Sequence, residues 1–110
     1  MEIFQNALLM GDFNADCDYV RNRQFDKHPL RNDSRFDWLI SDTEDTTSTQ
    51  TDCAYDRIIV VGEELQKSIV RNSAKVFNYG DAYSATSAQV QELSDHYPVE
   101  VKIRGTYRSI

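Results

Sequence analysis

Long apolar runs are missing from this sequence. None reaches the roughly 20 residues that a helix needs to cross a bilayer, so a helical membrane span is excluded. The first six residues, Met1-Glu2-Ile3-Phe4-Gln5-Asn6, lack a basic start, a long apolar stretch and a cleavage site, and do not read as a secretion signal. Cysteine is scarce. Cys17 and Cys53 allow at most one bridge, and counting alone leaves open whether they pair or stay as two thiols. Positive charge is scarce as well: 12 Lys and Arg stand against 18 Asp and Glu, a net charge of −6. A generic polyanion-binding protein is usually basic, so that class is disfavoured. No internal repeat and no linker interrupts the chain. Its 110 residues make one domain at most. At 40% hydrophobic and 11% aromatic, they can bury a core.

What is present centres on Leu93-Ser94-Asp95-His96-Tyr97-Pro98-Val99-Glu100-Val101. Pro98 biases Tyr97 toward extended backbone. Val99, Val101 and Ile103 then fall on one face of a period-2 pattern, with Glu100, Lys102 and Arg104 on the other. This predicts a loop carrying Asp95 and His96 at the mouth of a last strand, 99–103. Asp95 can ligate a hard cation, and His96 is suited to moving a proton near neutral pH. The plain alternative is a capping aspartate and a surface histidine.

A matching stretch lies near the start. Ala7-Leu8-Leu9-Met10, closed by Gly11, reads as a buried strand over 7–11 that ends in the polar loop Asp12-Phe13-Asn14-Ala15-Asp16. Asp12 and Asn14, two residues apart, can both project onto one phosphate or one hydrated Mg²⁺.

The pairing of Gly-Asp-Phe-Asn-Ala with a distant Ser-Asp-His-Tyr-Pro-Val resembles the endonuclease/exonuclease/phosphatase family of metal-dependent phosphoesterases. Gly11 to Tyr19 (GDFNADCDY) and Asp42 to Arg57 (DTEDTTSTQTDCAYDR) are similar to its deoxyribonuclease I branch. The resemblance runs over nearly the whole chain but covers only the C-terminal half of that family's domain. It implies an α/β (α+β) fold: the C-terminal half of a four-layer sandwich, one mostly antiparallel sheet with short flanking helices. Residues 1–110 would then be a partial domain.

The resemblance also implies roles. Asp12 orients the nucleophile or binds Mg²⁺ (or Mn²⁺), Asn14 donates to a phosphate oxygen, and Asp95 is a metal ligand. His96 is one of two histidines acting as general base or acid. Asp56 pairs with the other histidine, which is absent here, leaving Asp56 unpaired or paired with Arg57 or another group. Tyr55 matches a tyrosine at the DNA-binding surface; a strand aromatic packed on the sheet is an equal reading. Asp45, Thr47 and Thr51 match a calcium site that would order the polar stretch 41–52; an unstructured surface loop is the alternative.

Cys17 and Cys53 fall where the branch has a disulfide. Such a bridge would close a loop of about 37 residues and contribute roughly 3–4 kcal/mol on the chain-entropy estimate. A disulfide implies an oxidising compartment. The expectation is therefore part of a longer secreted nuclease acting on DNA, completed by an N-terminal half or a second copy, with no membrane partner. The net negative charge is compatible with this, because acidic metal ligands raise it and bound cations offset it. The alternatives are a non-catalytic module binding Ca²⁺, DNA or a protein, and another phosphoesterase of the same superfamily.

Between the two motifs, Phe36, Trp38 and Ile40 predict a strand with Trp38 in the core. Ala54 to Val61 predicts the strongest strand, ended by Gly62. Residues 63–70 predict one or two helical turns, 74–79 a short strand, and 80–90 a turn with a short helix. Tyr19, Val20 and Phe25 suggest a short helix over 18–26, ended by His28-Pro29, with His28 a surface histidine. Asn32-Asp33-Ser34 is a candidate glycan acceptor. Residues 105–110 read as a loose tail.

Overall fold

The computed structural model describes residues 5–17 and 24–105. All of the tail beyond Gly105 and residues 18–23 of the suggested helix over 18–26 lie outside them. The strongest strand forms as expected. Asp56–Val61 (β3) ends in a run of β-branched residues, 58–61, of which Ile58, Ile59 and Val60 are fully buried. Such residues pack well on a pleated surface, and each contributes about 1.5–3 kcal/mol when buried. Ala7–Asp12 (β1) and Phe36–Trp38 (β2) flank β3 on either side, both antiparallel, giving the order β1-β3-β2. Lys75–Val76 (β4) and Val99–Glu100 (β5) pair antiparallel as a second sheet. An isolated bridge joins Ile69 to Ile103. Among the described residues the pairing is antiparallel, as expected, but is divided between two sheets.

Helices are short. Pro29–Asn32 (α1) begins where the sequence suggested a helix would end. A 3-10 turn over Gln24–Lys27 comes first. Pro29 then starts the new turn, because its fixed φ suits a first helical position and its missing N–H is not needed there. His28 is exposed, and its Nδ1 accepts from the Leu30 N–H at 3.1 Å. Glu63–Ser68 (α2) follows Gly62, whose φ of 104° favours glycine. A Cβ at Gly62 would also collide with the Gln5 carbonyl. Tyr79–Ala82 (α3) and Ser87–Leu93 (α4) precede the His96 loop. Thr86 and Gln89 form a reciprocal capping box at the start of α4.

The core is one-sided. Register places Leu8, Met10 and Asp12 on the face of Val60, Ile58 and Asp56. On that face Ile58 and Val60 join Ile40, covered by Leu39, Leu65, Ile69, Val99 and Val101. The cover stops short of β1: Leu8 is 38% and Met10 51% exposed. The expectation of a buried first strand is corrected here, because β1 lies at the sheet edge with its inner face open. The opposite face carries Trp38, half-buried, with Phe13 edge-on at 5.9 Å and the Arg31 guanidinium 4.7 Å from its ring.

Candidate active site

Three segments meet at one corner of the first sheet. Asp12 ends β1 and Asp56 opens β3, and the register sets them opposite one another. His96 arrives from the loop after α4. Its Nδ1 lies 2.6 Å from Asp56 Oδ2. Its Nε2 lies 3.8 Å from Asp12 Oδ2 and 3.9 Å from Asp95 Oδ1. Of the alternatives left for Asp56 (unpaired, paired with Arg57, or paired with another group), the structure takes the last: Asp56 pairs with His96, not with the second histidine that the resemblance implied. Arg57 projects from the other face, as alternation in a strand requires. Its guanidinium is spent on the Ala54 and Ile40 carbonyls and on Asp42.

The pair fixes the chemistry of the imidazole. An ionised carboxylate only accepts, so Nδ1 carries the proton and Nε2 is left for proton exchange. Partial burial is the largest single influence on His96 and lowers its pKa. The hydrogen bond to Asp56 and the charges of Asp56, Asp12 and Asp95 together outweigh it, and the net pKa is raised above the ordinary 6.5. Asp12, Asp56 and His96 each offer a ligand atom within 4.8 Å of the others. The carboxylate oxygens of this group are hard donors of the kind that a divalent cation takes. Asp95 stands at the exposed rim.

The neighbouring residues define the surroundings. Asn14 follows Asp12 in a tight turn, its N–H donating to Asp12 Oδ1 at 2.9 Å, with φ at 50°. Asparagine tolerates that left-handed backbone better than most residues. The half-buried Tyr55 ring lies 5.9 Å from the His96 ring. An open cleft of about 590 Å³ adjoins Asp56 and His96, walled by Tyr79, Tyr83 and Tyr97.

The threonine-rich stretch is ordered. Asp45 Oδ1 accepts from the Thr47 and Cys53 amides. Thr47 Oγ1 lies 2.6 Å from Asp45 Oδ1 and 2.7 Å from the Thr51 carbonyl. One hydroxyl proton cannot serve both acceptors at once. This oxygen-rich cluster, with Thr49 and Thr51 hydroxyls beside it, fits a hard cation. The cysteines pair: Cys17 and Cys53 form a disulfide with their Cα atoms 5.9 Å apart.

One contributor was not legible in the sequence. Thr46 is fully buried, and its Oγ1 accepts from the Tyr55 and Asp56 amides, each at 3.1 Å. In sequence it is one threonine among several, with no signal that sets it apart.

The chain belongs to the endonuclease/exonuclease/phosphatase family, whose model matches residues 5–96. Among curated relatives, deoxyribonuclease-1 of Canis lupus familiaris is 52% identical over 100 residues, covering 91% of this chain and 35% of the relative. Deoxyribonuclease-1 of Homo sapiens is 48% identical over 100 residues, covering 91% and 36%. Deoxyribonuclease gamma of Homo sapiens is 46% identical over 103 residues, covering 93% and 34%. The chain spans about a third of the length of these relatives.

Proposed function

We propose that this chain supplies the C-terminal part of a deoxyribonuclease I-like active site, which hydrolyses phosphodiester bonds of DNA with a divalent metal. The observation that carries this reading is the Asp56–His96 pair at 2.6 Å, its free Nε2 turned toward Asp12 and Asp95, in a chain about half identical to deoxyribonucleases. Residues 1–110 act as a partial domain within it.

Hydrolysis attaches a water oxygen to phosphorus and breaks the bond to the 3′ oxygen. One proton must leave the water and one must reach the leaving oxygen. His96 performs one of these transfers at Nε2. Asp56 holds the imidazole in the required tautomer and supports its charged form, in the manner of a carboxylate behind a catalytic histidine. Asp12 and Asp95 would hold Mg²⁺ (or Mn²⁺), which when bound supplies positive charge to the phosphate. Asn14 donates to a phosphate oxygen, and Tyr55 contacts the DNA beside it. Asp45, Thr47 and Thr51 would hold Ca²⁺ and keep the loop in place. The disulfide suits a secreted, extracellular protein.

Groups that act as a unit in catalysis fail together, so the chain alone retains little of the rate. Mixing it with the N-terminal portion of a deoxyribonuclease-1 relative, with Mg²⁺ and Ca²⁺, should nick plasmid DNA. EDTA and His96→Ala should each abolish the nicking. Absence of nicking in the complete mixture overturns the proposal.

A further inference from the structure

Asp56 and His96 are forty residues apart in the chain, and a hydrogen bond of 2.6 Å requires both backbones to be held in place. Residues 46–48 run between them in space. On one side Thr47 bridges His96, the Thr46 carbonyl accepts from the Tyr97 amide at 2.8 Å, and the Ser48 amide donates to the Asp95 carbonyl at 2.9 Å. On the other side the Thr46 hydroxyl takes the Tyr55 and Asp56 amides.

We propose that Thr46 is a positioning residue for the Asp56–His96 pair. Its hydroxyl sets the backbone that carries Asp56, and its carbonyl sets the backbone beside His96. This deepens the proposed function and rests on that reading of the pair.

The hydroxyl matters through its full hydrogen-bonding capacity. It has one proton and two lone pairs. The proton goes to the Cys53 carbonyl at 3.3 Å and the lone pairs to two successive amides. Accepting from both Tyr55 and Asp56 fixes the peptide plane between them, and hence the direction in which the Asp56 side chain leaves the backbone. Residue 46 is fully buried, so water cannot replace what the hydroxyl provides. Valine has nearly the same shape without the oxygen, whereas serine keeps the oxygen and loses a methyl. A residue that only packs would tolerate valine better than serine; a residue that positions through its hydroxyl shows the reverse.

The test is the imidazole ¹⁵N spectrum of the whole chain, free of metal and above the titration of His96. These shifts report which ring nitrogen carries the proton. The unsubstituted chain and Thr46→Ser should show His96 as the Nδ1–H form held by Asp56. Thr46→Val should shift His96 toward the Nε2–H form that free imidazole prefers, while the Ile58 and Val60 methyl resonances stay dispersed. His28, outside this network, serves as internal reference.

Retention of the Nδ1–H form in Thr46→Val overturns the assignment, as does equal loss in both variants. If Thr46→Val does not fold, amide exchange decides. Slow exchange at Tyr55 and Asp56 in both the unsubstituted chain and Thr46→Ser supports the assignment, and exchange at exposed-loop rates overturns it. Failure of the proposed function registers separately, as absence of plasmid nicking in the reconstituted mixture whatever the spectra show. A missing Nδ1–H form in the unsubstituted chain overturns the pair, and the role of Thr46 with it.

Discussion

Met10 and Ile58 are cross-strand partners on the same face of the same sheet, yet one is half exposed and the other fully buried. The same contrast separates two regions of the molecule. Along β1 the inner face is apolar and partly open, with Leu8 and Met10 exposed over a third to a half of their surface. A few ångströms along the same face, the corner at Asp56, Thr46 and His96 is closely satisfied: among the described residues no buried side-chain nitrogen or oxygen lacks a hydrogen-bond partner. The polar corner is organised within the chain itself, while the apolar strip beside it is left partly open to solvent. An uncovered edge strand of this kind is an association liability.

The largest expected effect sharpens this contrast directly. Ile58→Ala should cost about 2–5 kcal/mol, because it leaves a cavity in a closed core. Met10→Ala on the neighbouring strand should stay within about 0.5 kcal/mol, the usual range for an exposed position. Urea denaturation of both variants checks the pair, and similar costs would show that β1 is covered in solution. Next comes the clamp on the polar corner. Replacing Cys17 and Cys53 by serine should cost roughly 3–4 kcal/mol on the chain-entropy estimate, read from the shift in denaturation midpoint against the oxidised chain.

A smaller effect tests the oxygen cluster at Asp45. Added Ca²⁺ should raise the melting temperature of the chain, in proportion to the logarithm of its concentration once above Kd. Asp45→Ala should remove that dependence and, by stranding the Cys53 and Thr47 amides, cost about 1–3 kcal/mol in the absence of metal. A calcium response that survives Asp45→Ala would place the cation elsewhere.

The smallest effect concerns pH. The folded state raises the pKa of His96 above 6.5, so folding favours the protonated ring. The resulting stability is fully present below the unfolded value near 6.5 and is lost as pH rises through the raised folded value. Asp56→Asn removes the hydrogen bond and the nearest charge that raise it. The stability gap between this variant and the unsubstituted chain should therefore be wider at about pH 5.5 than at about pH 9. A gap that does not vary with pH would mean that His96 and Asp56 are uncoupled.

Local signals in the sequence carried much of this molecule. β-Branched residues set β3, Gly62 marked its end, and the two Asp-bearing motifs placed Asp12 at the end of a strand and His96 in a loop before one. These features depend on neighbours within a few residues, which a sequence displays directly. The one or two helical turns expected over 63–70 likewise became α2. His28-Pro29 misled, because proline at a first helical position and proline past a helix end look alike without the backbone around them.

Tertiary structure decided the rest. Only the antiparallel register of β1 on β3 sets Asp12 opposite Asp56, and only the bridge from Thr47 to His96 brings the imidazole across to Asp56. Thr46 reads like its neighbours until its burial and hydrogen bonds are known. The exposure of Leu8 and Met10 also escaped the sequence, since an apolar run reports a tendency to be buried and not whether a surface is there to bury it. Side-chain chemistry at each position was fixed by the sequence. Which groups share a proton, a cation or a face was fixed by contacts between segments far apart in the chain, because the energies involved depend on distance and burial.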